Sequence, residues 1–306
     1  MQLGRHQLKF QLQHGKRREH RLRVDATDES AEGSAAEQGE AEAESTADAD
    51  ATAEAEPASA DPTIQEGVIY EGNGVTISIT GIEKGLFGYE VGVYIENSSS
   101  LNLGFNAHSY AINGVMSHNN IYEMGCDVSS GKKANATLGI YYSTLEEIGV
   151  EDTRNLEINI WAYDNDRYTK EFETGQLYIA TSADDGTCDT QSGTTIYDSD
   201  GIKVDFLSNT DYSCTYVLTN NTGQYVDIDV ENLNVNGYTS SDVDYDPYSE
   251  QVLDGCQFEF TIKPTNDFLQ TNGIDSIETM GFNIKYRPLS DYFDERTTDF
   301  MGVSFN

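Results

Sequence analysis

Residues 70–97, YEGNGVTISITGIEKGLFGYEVGVYIEN, and residues 197–220, YDSDGIKVDFLSNTDYSCTYVLTN, carry one pattern at two places in the chain. Tyr70 returns as Tyr197, and Asn97 returns as Asn220. Downstream, the same spacing recurs in two further pairs: Asn113-Gly114 with Asn236-Gly237, and Gly149-Val150 with Gly273-Ile274. The first copy has four extra residues, in the stretch GIEKGLFG. A repeat this long with one local insertion indicates a duplicated domain.

Apolar and polar residues alternate along both copies, which predicts half-buried strands. Val75, Ile77 and Ile79 show the pattern in the first copy, and many later residues continue it. Asn73-Gly74 and Asp200-Gly201 predict tight hairpin turns, because both dipeptides tolerate positive φ. Six or seven short strands in a stretch of about 115 residues predict a sandwich of two antiparallel sheets.

One short helix interrupts the strands of each copy. Ser143–Glu146 has the spacing of a capping box, and Gly149 follows it as a helix stop. Thr265–Asn272, followed by Gly273, predicts the equivalent helix in the second copy. The predicted fold is therefore all-β, with one short helix in each sandwich.

The residues before the first sandwich form a basic segment followed by an acidic segment. Residues 1–23 have net charge +6, and residues 24–62 have −13 with no Lys or Arg, within a total of −35. Residues 24–62 contain no aromatic residue, so we expect a disordered acidic tether. The predicted boundaries are 63–182 for the first sandwich (the first copy), 183–193 for an exposed linker and 194–306 for the second sandwich (the second copy).

The sequence is compatible with two locations in the cell. Residues 1–23 are basic, as the start of an export signal is, but no apolar stretch of the required length follows them. We expect either a disordered N-terminal segment or a start that lies elsewhere in the gene. An acidic tether before compact β domains favours an exported or cell-surface protein, and a cytoplasmic protein is the alternative. We expect no membrane span, and the acidic surface disfavours nucleic acid as a partner.

The motif order resembles a known group of domains. Both copies run from Ile-Tyr-(x)3-Gly, at Ile69 and Ile196, through the strand-ending asparagines to Asn-Gly and then to a helix that ends in Gly-Val or Gly-Ile. This order is similar to that of the telokin-like immunoglobulin-fold domains of unknown function, which occur in tandem in bacterial surface lipoproteins. The resemblance covers residues 67–181 and 194–306. It implies two immunoglobulin-like β-sandwiches at the cell surface and is silent on activity.

The four cysteines suggest a disulfide. Cys214 and Cys256 are in phase with core residues of their strands, so both are expected to point into the second core. We predict a Cys214–Cys256 disulfide, and two free buried thiols are the alternative. Cys126 and Cys188 would then be left to pair, although four cysteines permit three connectivities.

Two surfaces are candidates for binding. Trp161 and Tyr163 are out of phase with the core residues of their strand, and Tyr94 is out of phase on its own strand. Outward aromatic side chains stack on sugars or anchor proteins, or they pack against a neighbouring domain. Asp242, Asp244 and Asp246 alternate as carboxylates that Ca²⁺ favours, but the spacing departs from a helix-loop-helix calcium loop. A solvated acidic loop is therefore the preferred interpretation, and no cofactor is expected.

Motifs for catalysis are absent from the sequence. The two copies contain only His108 and His118, and no nucleophile elbow, zinc-binding helix or phosphate loop appears. We therefore expect a monomeric, non-catalytic module that binds a protein or glycan at the cell surface or acts as a spacer. The alternative is a polysaccharide-active hydrolase or a carbohydrate-binding accessory module of an enzyme. Asn97, Asn135 and Asn220 each begin an Asn-x-Ser/Thr triplet, the acceptor pattern for N-linked glycans.

Overall fold

The computed structural model of the protein describes residues 61–116, 124–240, 250–288 and 293–305, and strands dominate them. The elements of the first copy are β1 (Gly67–Gly72), β2 (Val75–Lys84), β3 (Gly88–Asn97), β4 (Leu103–Ile112), β5 (Val115–Met116), β6 (Cys126–Val128), β7 (Lys132–Tyr141), α1 (Tyr142–Ile148), β8 (Asn155–Asp164) and β9 (Thr169–Ala180). Those of the second copy are β10 (Thr194–Ser199), β11 (Ile202–Asn209), β12 (Cys214–Asn220), β13 (Val226–Val235), β14 (Tyr238–Thr239), β15 (Glu250–Val252), β16 (Gln257–Ile262), α2 (Asn266–Thr271), β17 (Thr279–Pro288), β18 (Arg296–Thr297) and β19 (Met301–Ser304).

The strands form three sheets. Four strands make the first, in the order β1-β2-β3-β7. The second, the shared sheet, has nine strands: β10-β11-β12-β16-β5-β4-β8-β9, with β6 paired to β4. The third has the order β14-β13-β17-β18, with β15 paired to β13 and β19 to β17. The prediction of an all-β fold is confirmed.

Two apolar cores lie between these sheets. The first core lies between the four-stranded sheet and the β4-β8-β9 part of the shared sheet, and the predicted alternation places Val75, Ile77 and Ile79 inside it. The second core lies between the β10-β11-β12-β16 part of the shared sheet and the third sheet. Ala111 and Met116 of the first copy also pack into the second core. The described residues form one compact unit from Asp61 onward, so the division into two domains stays a prediction.

The predicted turns and helix ends are confirmed in part. Asn73 (φ 54°) and Asp200 (φ 55°) adopt the left-handed conformation that the predicted hairpins require. Gly149 ends α1 with φ 71°, as predicted. The capping box is wrong, because Tyr141 is the N-cap of α1 and makes no side-chain hydrogen bond there. In α2 the Thr265 side chain does cap the helix, by accepting from a backbone N–H at 3.3 Å.

Most of the predicted linker is exposed, yet it is tied to the first copy. The Arg154 guanidinium forms an ion pair with Asp189 and donates to the Thr187 hydroxyl at 2.6 Å. Asn113 donates from its side chain to Asp189 at 2.7 Å. Because these bonds join the linker to a well-packed turn, residues 183–193 are not a free hinge.

No helix in the described ranges is both long enough and apolar enough to cross a bilayer.

Candidate functional site: the Trp161 face of the shared sheet

Trp161 and Tyr163 lie together on the outward face of β8. Their neighbours Ile160 and Ala162 are buried in the first core, so the two aromatic rings point the other way, as predicted. The ring centroids are 6.0 Å apart. Since β4 and β9 flank β8 in the shared sheet, side chains from both neighbours reach the Trp161 ring.

Trp161 is covered by polar side chains from both flanking strands. The His108 imidazole, from an irregular stretch of β4, stacks on the indole with centroids 3.4 Å apart and planes inclined by 19°. Lys170 on β9 places its ammonium 4.2 Å from the indole centroid, a cation–π contact. A ring that already contacts an imidazole and an ammonium has little free face for a sugar.

The second copy reaches the edge of this surface. Tyr225 hydrogen-bonds from its hydroxyl to Glu173, which lies opposite Trp161 in the sheet, and burial together with the Glu173 carboxylate raises the Tyr225 pKa to about 12. Burial lowers the pKa of His108, and the nearby Lys170 ammonium lowers it further. The Trp161 face, which the sequence predicts as a ligand-binding surface, therefore borders an interface between the two copies.

Further bonds extend this interface. The side-chain amide of Gln176 donates to the Asp254 carbonyl and accepts from the Asp254 N–H, both at 2.8 Å. The Met116 sulfur accepts from the Leu253 N–H at 3.3 Å. These are short bonds between residues far apart in sequence, so they fix one copy against the other.

A parallel pairing of two strands also joins the two copies. β16 runs alongside β5 with Gln257 opposite Val115, and the Gln257 N–H donates to the Gly114 carbonyl at 2.8 Å. The Gln257 side chain also bonds to the backbone of Gln191 in the linker. The shared sheet thereby passes from one copy into the other.

Tyr94 lies elsewhere. It is on β3 of the four-stranded sheet, and its strand neighbours Val93 and Ile95 are in the first core, so it faces away from that core. The Lys133 ammonium lies 5.8 Å from its ring centroid and 2.7 Å from Glu96. Trp161 and Tyr163 face outward from the opposing sheet. The three predicted aromatic residues therefore do not form one binding surface.

The predicted Cys214–Cys256 disulfide is wrong. Both side chains are buried in the second core, as expected, but all four cysteines are free thiols. Cys214 pairs with Ile262 at one end of the β12–β16 ladder, whereas Cys256 lies beside Asn220 at the other end. Six strand residues separate these ends by about 20 Å, far beyond the span of a disulfide.

Cys126 and Cys188 are also far apart. Cys126 pairs with Phe105 near the start of β4, and the Cys188 sulfur lies against Gly114, beyond the end of that strand. Burial raises the pKa of both thiols. The buried Cys214 has its pKa raised to about 11, for the same reason.

The proposed calcium ligands Asp242, Asp244 and Asp246 lie outside the described residues, as does His118. Within the described ranges, no cluster of His, Cys, Asp and Glu side chains is arranged to hold a metal ion.

One exposed apolar surface was not predicted from the sequence. Leu86 and Phe87, in the loop between β2 and β3, are 83% and 71% exposed. Tyr141 and Tyr142, where β7 meets α1, are exposed beside them. We call these four side chains the loop tip. The available signal was the four-residue insertion, which falls in the stretch that contains Leu86 and Phe87.

Comparison with known proteins does not show a family. No family model and no curated protein sequence matches the chain. Among solved structures, the transglutaminase of red sea bream is 9% identical with a TM-score of 0.22; the alignment covers 77% of this chain and 32% of that one, so this chain spans about a third of the enzyme. A conserved domain protein from Bacillus anthracis is 14% identical with a TM-score of 0.23, over 80% of this chain and 92% of that one. Similarity at this level assigns no function.

Proposed function

We propose that residues 63–306 form a non-catalytic binding and spacer module that holds a recognition surface at a fixed position at the cell surface. The interface between the two copies carries the proposal. Gln176 and Asp254 bond reciprocally across it, and one sheet passes through it. A spacer needs this rigidity, because a hinged pair of domains would not fix the position of what it presents.

The linker supports the same proposal. Its hydrogen bonds to Arg154 and Asn113 hold an exposed stretch that is otherwise rich in Asp, Gly, Ser and Thr. In a flexible tandem protein this stretch would be the site of greatest motion and of proteolytic cleavage.

Limited proteolysis of the full chain tests the rigidity. We expect proteinase K to remove the acidic N-terminal region and to leave one fragment that spans both copies. The Arg154→Ala variant should become sensitive to cleavage between residues 183 and 193, because it loses the bonds to Asp189 and Thr187. Early cleavage of the wild-type linker would contradict a rigid module.

Two further measurements test the remaining parts of the proposal. Protease treatment of intact cells should cleave the acidic N-terminal region if the protein is exposed at the surface, and protection equal to that of a cytoplasmic marker would exclude this location. Release of reducing sugar from a polysaccharide panel by purified protein, beyond that by heat-denatured protein, would overturn the non-catalytic assignment in favour of the hydrolase alternative.

A further inference from the structure

The loop tip is an apolar surface held in a fixed shape. The Gly85 N–H donates to the Gly88 carbonyl at 2.7 Å, which closes the loop beneath Leu86 and Phe87. The Tyr142 N–H donates to the Phe87 carbonyl at 2.9 Å and so attaches the loop to the start of α1. A Cβ at Gly88 would lie 2.0 Å from a backbone carbonyl oxygen, so only glycine permits this approach. The exposed side chains therefore project from an ordered base.

The aromatic part of the tip is ordered as well. The rings of Tyr89 and Tyr142 pack edge to face, with centroids 5.8 Å apart. Tyr89, Tyr141, Leu86 and Phe87 line a cleft of about 430 Å³ on this surface. A rigid aromatic cleft loses little conformational entropy when a ligand binds to it.

The equivalent loop of the second copy has no counterpart of Leu86 and Phe87 side by side. The equivalent loop between β11 and β12 contains Thr210, Asp211, Tyr212 and Ser213. It closes through the Thr210 N–H, which donates to the Ser213 carbonyl at 2.9 Å, and through a bond between their hydroxyls. A loop with three polar residues and Tyr212 thus joins the equivalent strands, which are shorter in the second copy, and the insertion in the first copy lengthens this hairpin and exposes Leu86 and Phe87 at its end.

Three exposed carboxylates lie on the elements that carry the tip, and one of them, Glu90, lines the cleft. Glu83 and Glu90 are exposed on the two strands that carry the loop, and Glu146 is exposed on α1, about one helical turn beyond Tyr142. The Lys84 ammonium beside the loop is already paired with Asp61 at 2.6 Å. The tip therefore offers an apolar centre within a negative rim, and the whole chain has a net charge of −35.

Resting on the proposed function, we propose that the loop tip is the recognition surface of the module and that it binds a segment of a partner protein that combines Lys or Arg with large apolar side chains. The apolar side chains enter the cleft beside Phe87 and Leu86, and the cationic groups lie against Glu90, Glu146 and the tyrosine rings. The rim repels an anionic membrane or a nucleic acid by the same charge that attracts this partner.

Fluorescence anisotropy with the full chain and synthetic peptides tests this assignment. The probe is a labelled peptide of about twelve residues that alternates Arg and Leu; one control peptide replaces Leu by Ser, and another replaces Arg by Glu. We expect saturable binding of the Arg/Leu peptide alone, weakened by salt. The double variant Leu86→Ser, Phe87→Ser should weaken it by about tenfold or more, and Glu90→Gln with Glu146→Gln should reduce its salt dependence.

The matched control is Tyr212→Ser, which removes the exposed aromatic side chain from the equivalent loop of the second copy and should leave binding unchanged. Equal binding by wild type and the Leu86/Phe87 variant would overturn the assignment. So would binding to phosphatidylcholine vesicles that depends on Leu86 and Phe87, which would identify a lipid surface, or self-association lost in the same variant, which would identify a second copy of the chain. None of these outcomes changes the result expected from limited proteolysis, so that experiment tests the proposed spacer role independently.

Discussion

Asn97 and Asn220 make the same set of hydrogen bonds at equivalent positions of the two copies. In each, the side-chain nitrogen donates to two backbone carbonyls, one 4 residues ahead and one 31 or 32 residues ahead. Each side-chain oxygen accepts from the N–H and the hydroxyl of the residue two positions on, Ser99 or Thr222. These bonds join strand ends in each copy. Both asparagines are also buried, so neither is an accessible acceptor for a glycan.

Replacing Asn220 by Ala should therefore destabilise the protein strongly. The change removes two hydrogen bonds that the side-chain nitrogen donates and two that the side-chain oxygen accepts, and we expect the free energy of unfolding to fall by about 2–4 kcal/mol. Urea denaturation followed by circular dichroism measures this. Asn221→Ala, at the exposed neighbouring position, is the control and should change the free energy by less than about 0.5 kcal/mol. Similar midpoints for the two variants would show that the Asn220 bonds contribute little.

Met116 belongs to the first copy in sequence but packs in the second core. Its replacement by Ala should lower the stability of the second copy by about 2–4 kcal/mol, through a cavity and the loss of a partner for the Leu253 N–H. Hydrogen exchange of the amides in β12 and β16 measures this effect.

Met124→Ala is the matched control for Met116, because Met124 is buried in the first core. It should lower exchange protection chiefly in β3 and β7. If Met116→Ala lowered protection only in the first copy, the packing of Met116 in the second core would be refuted.

The strand pattern could be predicted because a strand has a fixed period of two, so Val75, Ile77 and Ile79 must share a face. The same period placed Cys214 and Cys256 correctly inside the core. The distance between them could not be predicted. The alternation of apolar residues shows which face of a strand a side chain is on, but it does not show which residue of the neighbouring strand lies opposite. A disulfide requires two cysteines close to each other on the paired strands, and the antiparallel pairing of β12 with β16 puts these two thiols at opposite ends of the strand pair.

The contacts of Trp161 show a second limit of prediction from the sequence. Its outward direction follows from its own strand, but what covers it depends on residues of other strands, such as His108 and Lys170. No local pattern encodes such a contact. The loop tip was predictable in principle, since an insertion that adds Leu86 and Phe87 to one copy alone stands out when the copies are compared.

The His108 imidazole predicts how stability depends on pH. Burial and then Lys170 lower its pKa below the ordinary value of 6.5, while Glu173 and Asp227 act in the opposite direction. An unfolded chain then binds a proton that the folded protein does not, so the free energy of unfolding is highest above pH 6.5 and falls as the pH drops through that value. His108→Phe, which keeps a ring against Trp161, should flatten this dependence. Urea denaturation at a series of pH values measures it, and an unchanged slope in the variant would exclude His108 as the cause.

The free thiols should differ sharply in reactivity. Cys188 is exposed, whereas Cys214 and Cys256 are fully buried, and burial raises the Cys214 pKa to about 11. Because the thiolate is the nucleophile, we expect iodoacetamide at neutral pH to label Cys188 first and to leave the two buried thiols unmodified until the protein unfolds. Mass spectrometry of tryptic peptides gives the order of labelling. Without denaturant, labelling of Cys214 as fast as Cys188 would show that the second core opens readily, and a Cys214–Cys256 peptide pair under non-reducing conditions would contradict the observed strand register.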